Sequence, residues 1–361
     1  MSRTSLKWLP ALVVPGVIAA AIVAVPLQAG AAVDLPDKTP DEVLQLIGDS
    51  TEDSFSGTVE KTAALGLPTL PESIDGGDAS SDAGLVGTAI ELLSGSQEAR
   101  VYTDGPLNLR VQTTDVLAER NVISNGSDAW FYDSETNVAT HVAIPADVAS
   151  AVTDKLDAAA ALATPAEVAD RVLDGLGDST DFAVGTDSTV AGRTVYELIL
   201  TPKASGTLAE SVSISVDSET GLPLQVSVAA SGQEDPALTI GFTAINLATP
   251  SADLFSFTPS DGVTVEEKPF PSEPTETHGD EPGHGDGPTV TGTGWDAIVE
   301  LPAGAEPADL STNPLLDELT TAVDGGRVFS TALVTVLLTD DGRVLAGSVA
   351  VERLQAAAST D

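Results

Sequence analysis

The chain has 361 residues, with 15 Lys+Arg against 55 Asp+Glu, a formal net charge of −40 and no cysteine. Charge of this sign repels nucleic-acid phosphates and anionic lipid headgroups. The missing thiols exclude disulfides, thiolate metal sites, cysteine nucleophiles and an acylated-cysteine anchor.

Arg3 and Lys7 are the only charges before Asp34, and Trp8 to Val33 is uncharged and mostly apolar. A basic start followed by an apolar run is the pattern of an export segment, here long enough to span a bilayer. Pro26 interrupts it, and Ala29-Gly30-Ala31 fits the small-x-small cleavage rule. Cleavage after Ala31 is expected, with a retained N-terminal membrane anchor as the alternative. Either way the remainder is expected to be extracytoplasmic, in the cell envelope or secreted.

Thr39-Pro40-Asp41-Glu42 reads as a helix start, with Thr39 as cap, Pro40 at the first helical position and Glu42 completing a capping box. Val43, Leu44, Leu46 and Ile47 make its apolar stripe, and Gly48 ends it. The signal recurs at Thr164-Pro165-Ala166-Glu167, with a stripe of Val168, Val172, Leu173 and Leu176. A further helix is expected near 146–161, carrying Val148, Val152 and Leu156.

Elsewhere the apolar period is two. Strands are predicted from Phe55-Ser56-Gly57-Thr58-Val59 onward, at 97–104, 107–114, 116–124, 129–132 and 138–144, and then at 194–201, 211–216, 222–228, 237–247 and 253–258. Asn125-Gly126 and Asp217 to Gly221 are turns. Roughly ten strands at hairpin spacing predict a meandering antiparallel sheet that curls. Two stretches rich in Gly, Pro and acids interrupt it. Gly66 to Gly84, with the apolar Leu85 to Leu93 after it, reads as a surface insertion or a flap. Glu266 to Gly294 reads as a linker. Beyond it, a helix is expected from Asn313 through Val323, and a hairpin from 328–338 and 343–350 around Asp340-Asp341-Gly342-Arg343. The expected organisation is an export segment at 1–33, a sheet domain at 34–260, a Pro/Gly/His/acidic linker at 261–294 and a small helix-hairpin module at 295–361.

Catalytic signatures are not found. There is no Gly-x-Ser-x-Gly elbow, phosphate loop, dinucleotide fingerprint or His-Glu-x-x-His, so neither an enzyme nor a bound cofactor is expected. His278 and His284 lie in the linker among acids, and His141 sits on a strand with no catalytic partner evident from sequence. Asp75, Asp78 and Asp82 share a loop at spacings that do not suit an EF-hand. The positive signal is architectural. A curled sheet with aliphatic inner faces either encloses an apolar cavity for acyl chains or is filled by its own side chains.

Several segments carry a family resemblance. Phe55-Ser56-Gly57-Thr58-Val59 after a capped helix resembles the opening strand of the lipoprotein-carrier (LolA-type) superfamily. Asn121 to Tyr132 (NVISNGSDAWFY) resembles its hairpin with Gly, Trp and Tyr. Gly192 to Lys203 (GRTVYELILTPK) resembles its Tyr-x-Leu-x-Leu-x-Pro-Lys strand, and Val216 to Val226 (VDSETGLPLQV) its late hairpin. The match covers about 40–260, and the whole chain, with Gly292 to Trp295 and Leu337 to Arg343, resembles exported LolA-like proteins of actinobacteria.

The resemblance implies an α+β fold, mainly antiparallel β: a curled half-barrel with helices plugging its concave face, plus the small C-terminal module. It also implies a cavity for lipid or lipoprotein acyl chains. Its members include lipoprotein carriers and RseB/MucB-type regulators of anti-sigma factors. The partners expected are therefore lipid or acylated protein, with an ABC exporter or an anti-sigma factor as a membrane partner. By alternation, Trp130 pairs with Tyr132, Tyr196 with Leu198 and Leu200, and Leu222 with Leu224 and Val226. With Val59 these are the expected cavity lining.

Overall fold

A computed structural model describes residues 34–66, 95–114, 118–145, 164–176, 179–270, 288–303 and 319–359. All elements below belong to the unit Asp37–Asp361. The expected export segment, the helix near 146–161, the loop after Gly66, His278 and His284 lie outside the described residues.

The larger sheet is 13-stranded. Its first half comprises β1 (Ser54–Ala63), β2 (Gly95–Asp104), β3 (Asn108–Thr114), β4 (Glu119–Asn125), β5 (Asp128–Asp133) and β6 (Val138–Ala143). Its second half comprises β7 (Thr180–Val184), β8 (Ser188–Val190), β9 (Arg193–Pro202), β10 (Ala209–Asp217), β11 (Pro223–Ala230) and β12 (Leu238–Asn246), and β13 (Thr264–Lys268) completes it. The order is β13-β6-β5-β4-β3-β2-β1-β12-β11-β10-β9-β7, with β8 on β9. Neighbours are antiparallel except β13 and β6, which are parallel. The end strands β13 and β7 do not pair, so the curled sheet stays open.

Turn chemistry builds this meander. The Asn125 side chain accepts the backbone N–H groups of Ser127 (3.0 Å) and Asp128 (2.9 Å), and Gly126 takes φ 83°. Asp217 Oδ1 accepts from the backbone N–H groups of Glu219 (3.1 Å) and Thr220 (2.8 Å) to hold the β10–β11 turn.

Helix α1 (Pro40–Gly48) starts on the expected capping box: Glu42 N–H donates to Thr39 Oγ1 (3.3 Å) and Thr39 N–H to Glu42 Oε2 (2.8 Å). It lies against β7 and β9. Helix α2 (Pro165–Leu176) lies on β11 and β12.

A second, 6-stranded sheet runs β14-β15-β19-β18-β17-β16. Its strands are β14 (Thr289–Thr291), β15 (Ile298–Leu301), β16 (Thr321–Val323), β17 (Gly326–Ser330), β18 (Thr335–Thr339) and β19 (Val344–Gly347). Helix α3 (Val351–Ala358) packs on it, and Ile298, Leu337, Leu345, Val349 and Leu354 form a core of its own. The sheet touches the larger one through Leu208 N–H to Ser348 O (2.9 Å) and Ala332 N–H to Leu65 O (2.8 Å).

Four local expectations need correction. The strand predicted at 253–258 is a 3-10 turn, Ala252–Phe255, because Pro250 and Asp253 favour a turn over pairing. The run 328–338 is two strands, because Thr331 Oγ1 accepts from Leu333 N–H (3.2 Å) and Val334 N–H (2.9 Å) and folds the chain back. Residues 348–350 leave the sheet and lead into α3. The helix expected through Val323 gives way to strand β16 at Thr321–Val323. Strands β7, β8 and β13 were not foreshadowed by alternation. They are short, and β13 has no buried residue.

Candidate functional site

Directly opposed residues of an antiparallel ladder share a face. One row on the larger sheet reads Val184, Leu198, Ile214, Val226, Ile240, Lys61. The next reads Phe182, Leu200, Val212, Val228, Leu238, Ala63. Leu198, Leu200 and Ile214 are fully buried, and Val226 and Ile240 nearly so. Tyr196 stands opposite Val216 on the same face.

Val59 stands opposite Phe242 on this face, two residues along from Lys61. It joins one cluster with Phe55, Val101, Leu222, Leu224 and Ile240, against which Ala166 and Val168 of α2 pack. Gly57 makes the approach of β12 possible: a Cβ there would meet the Phe242 ring and the Ala244 carbonyl oxygen, both at 2.7 Å. The Phe242 ring then meets Phe55 edge-on at 5.7 Å. Strand pairing thus brings Val59, Tyr196, Leu198, Leu200, Leu222, Leu224 and Val226 on or against one aliphatic face of the larger sheet.

Lys61 is the charged member of the first of these rows, at 7% exposure. Burial among apolar neighbours pushes its amine pKa down. The Tyr196 phenol is pushed up by burial first, then by Asp187 and Glu42. The Lys38 ammonium stands 5.6 Å from the Tyr196 ring centroid.

Trp130 and Tyr132 lie on the opposite face. The row containing Trp130 runs through Ile123, Arg110 and Tyr102 to Ser56, out of phase with Val59. There Trp130 stacks on His141 at 4.2 Å, and Phe257 meets both Trp130 (5.3 Å) and Tyr132 (5.6 Å). Phe257 comes from the strap between β12 and β13, which Arg110 ties down by donating to Leu254 O at 3.2 Å.

His141 is held between two carboxylates: Nε2 meets Asp128 Oδ1 at 2.8 Å and Nδ1 meets Glu267 Oε2 at 2.7 Å. The hydrogen bond to Asp128 is the largest influence raising its pKa; desolvation opposes it, and Glu267 adds to the rise. Sequence reasoning found the histidine but not its partners. Asp128 sits across a hairpin and is foreseeable from register. Glu267 arrives through a parallel pairing that no local pattern announces.

Among the described residues no group of three or more metal-ligating side chains converges. No described helix is long and apolar enough to cross a membrane.

No family model and no curated protein matches the chain. Among solved structures, the chain is similar to the Pseudomonas aeruginosa MucA/MucB complex at 15% identity and TM-score 0.42, over 88% of this chain and 96% of that chain. MucB by itself matches at 15% identity and TM-score 0.42, over 88% and 94%. The LolA superfamily protein NE2245 from Nitrosomonas europaea matches at 10% identity and TM-score 0.24, over 61% and 99%.

Proposed function

We propose that this chain is an exported, non-enzymatic binding protein that holds a lipid or acylated ligand against the aliphatic face of its larger sheet. The observation that carries the reading is the unbroken row Leu198, Ile214, Val226, Ile240 on a sheet whose two end strands do not pair with each other. Helices α1 and α2 pack against strands of that sheet, and helices can be displaced without breaking a ladder. An acyl chain laid along the row gains about 0.8 kcal/mol for each methylene buried. The lining in this reading is Val59, Tyr196, Leu198, Leu200, Leu222, Leu224 and Val226; Trp130 and Tyr132 belong to the strap side. The reading places 1–33 in the export segment and the ligand in 34–260.

Mass spectrometry of organic extracts from natively purified protein tests it. The expected result is acyl lipid near one equivalent, and fluorescent fatty-acid uptake by delipidated protein. Absence of both lipid in the extract and uptake of the probe overturns the reading.

A second reading, an envelope regulator that binds a membrane protein such as an anti-sigma factor or an ABC exporter, is favoured by the terminal module. That module has its own core and, among the described residues, two strand edges, β14 and β16, at the ends of its sheet. Stable capture of a membrane protein that is lost on removing the module supports it.

A further inference from the structure

Strand β13 is an edge strand with all five residues exposed, and it is the parallel member of an otherwise antiparallel sheet. Its entry is fixed by Thr264 N–H to Asn137 O (3.0 Å) and by Asn137 Nδ2 to Gly262 O (2.8 Å). Along the strand, Glu267 faces His141 in direct register, and His141 in turn faces Trp130. Lys268 pairs within its own strand, to Glu266 at 3.6 Å. His141–Glu267 is thus the ion pair that joins β13 to β6 among the described residues.

The imidazole geometry sets a condition on its proton count. A neutral ring has one N–H, so only one of its nitrogens can donate. Both nitrogens of His141 lie within 2.8 Å of carboxylate oxygens. Both contacts are favourable only when the ring carries two protons. The neighbours fit a cation: Asp128 from β5 and Glu267 from β13 face it, the Trp130 ring stacks on it, and the strap presents Phe257 beyond. The Arg120–Asp133 pair, Glu266 and Lys268 are on the other face by register. Asp128 is also held by Ser127 Oγ at 2.7 Å, so it keeps a partner when the ring is neutral. Among the described residues the exposed Glu267 has no such second hold, and a neutral His141 that donates to Asp128 turns a lone pair toward it.

We propose that His141 is a pH-responsive clasp: as an imidazolium it holds β13 on the edge of β6, and as a neutral ring it lets the strand go. The sign follows from a folded-state pKa raised above 6.5. The clasp is fully present below that value and is lost as pH rises through the raised midpoint. Release uncovers the β6 edge and leaves its N–H and C=O groups to solvent.

Amide hydrogen exchange on the full chain, read as protection factors between acid and mildly alkaline pH, tests this beside the His141 ring NMR titration. Protection at Thr264–Lys268 is expected to fall about threefold or more through the His141 midpoint, as for a partly exposed ion pair. The β11–β12 amides are expected to hold. His141→Asn is expected to give low, pH-independent protection at β13, and Glu267→Gln to lower the ring's midpoint toward 6.5. A flat wild-type profile, the wild-type profile in His141→Asn, or an unmoved midpoint in Glu267→Gln each overturns the proposal.

Discussion

The indole Nε1 of Trp295 donates to Thr180 Oγ1 at 2.7 Å, with both side chains buried where the terminal module meets the larger sheet. The approach depends on glycines around the tryptophan. Gly292 and Gly294 take φ 85° and 60°, and a Cβ at Gly294 would collide with Ser179 Oγ. Trp295→Phe, which keeps the ring and removes the donor, is expected to cost about 1 kcal/mol. Trp295→Ala is expected to cost about 3–5 kcal/mol. Urea denaturation measures both.

Gly57 is expected to tolerate no side chain. Its Cβ would meet the Ala244 carbonyl oxygen and the Phe242 ring, and both belong to the strand that β1 must pair with. Gly57→Ala is expected to destabilise by roughly 2 kcal/mol or more, in the range for overpacking. A thermal midpoint equal to that of the wild type contradicts this.

Asp217 is 1% exposed, yet its pKa is lowered. Burial alone raises it, and the Arg193 guanidinium, the Thr220 N–H and hydroxyl and the Glu219 N–H together outweigh burial. A carboxylate lowered in the fold stabilises above its unfolded pKa of 3.8, and that stability fades as pH falls through the folded value. Arg193→Met leaves the carboxylate buried without its cation, at an expected cost of about 3 kcal/mol near neutral pH. The gap between wild type and variant is expected to narrow below about pH 4. Stability curves at neutral and acid pH check the sign.

Trp130 and Val226 face opposite sides of the sheet, which separates two outcomes. Val226→Asp puts a charge on the aliphatic row and is expected to abolish lipid retention, provided circular dichroism shows a folded sheet. Trp130→Ala is expected to leave retention unchanged while lowering the His141 midpoint, since the stacked ring no longer supports the cation. Lipid content and NMR titration of the two variants decide this.

Much of the fold was legible because its devices are local. The capping box at Thr39 and Glu42, the Asn125-Gly126 turn and the alternation of Val212, Ile214 and Val216 each act within a few residues. That Leu222, Leu224 and Val226 share a face was also legible, since period two puts alternate residues of one strand on one side, but their clustering with Val59 is set by the pairing of β12 with β1 and β11. Alternation says that Trp130 and Tyr132 share a face but not which one, because that depends on the register of every strand between β1 and β5.

The sequence by itself determined that this is a cysteine-free, strongly acidic chain built from alternating strands and capped helices. Charge, composition and period are additive along the chain and need no contact to be read. Only the tertiary structure decided that Glu267 meets His141 through a parallel pairing and that Lys61 is buried in an aliphatic row. It alone brought Trp295 to Thr180. These contacts join residues far apart in sequence, and the free energy that selects them comes from packing and desolvation in the assembled fold, which no local propensity encodes.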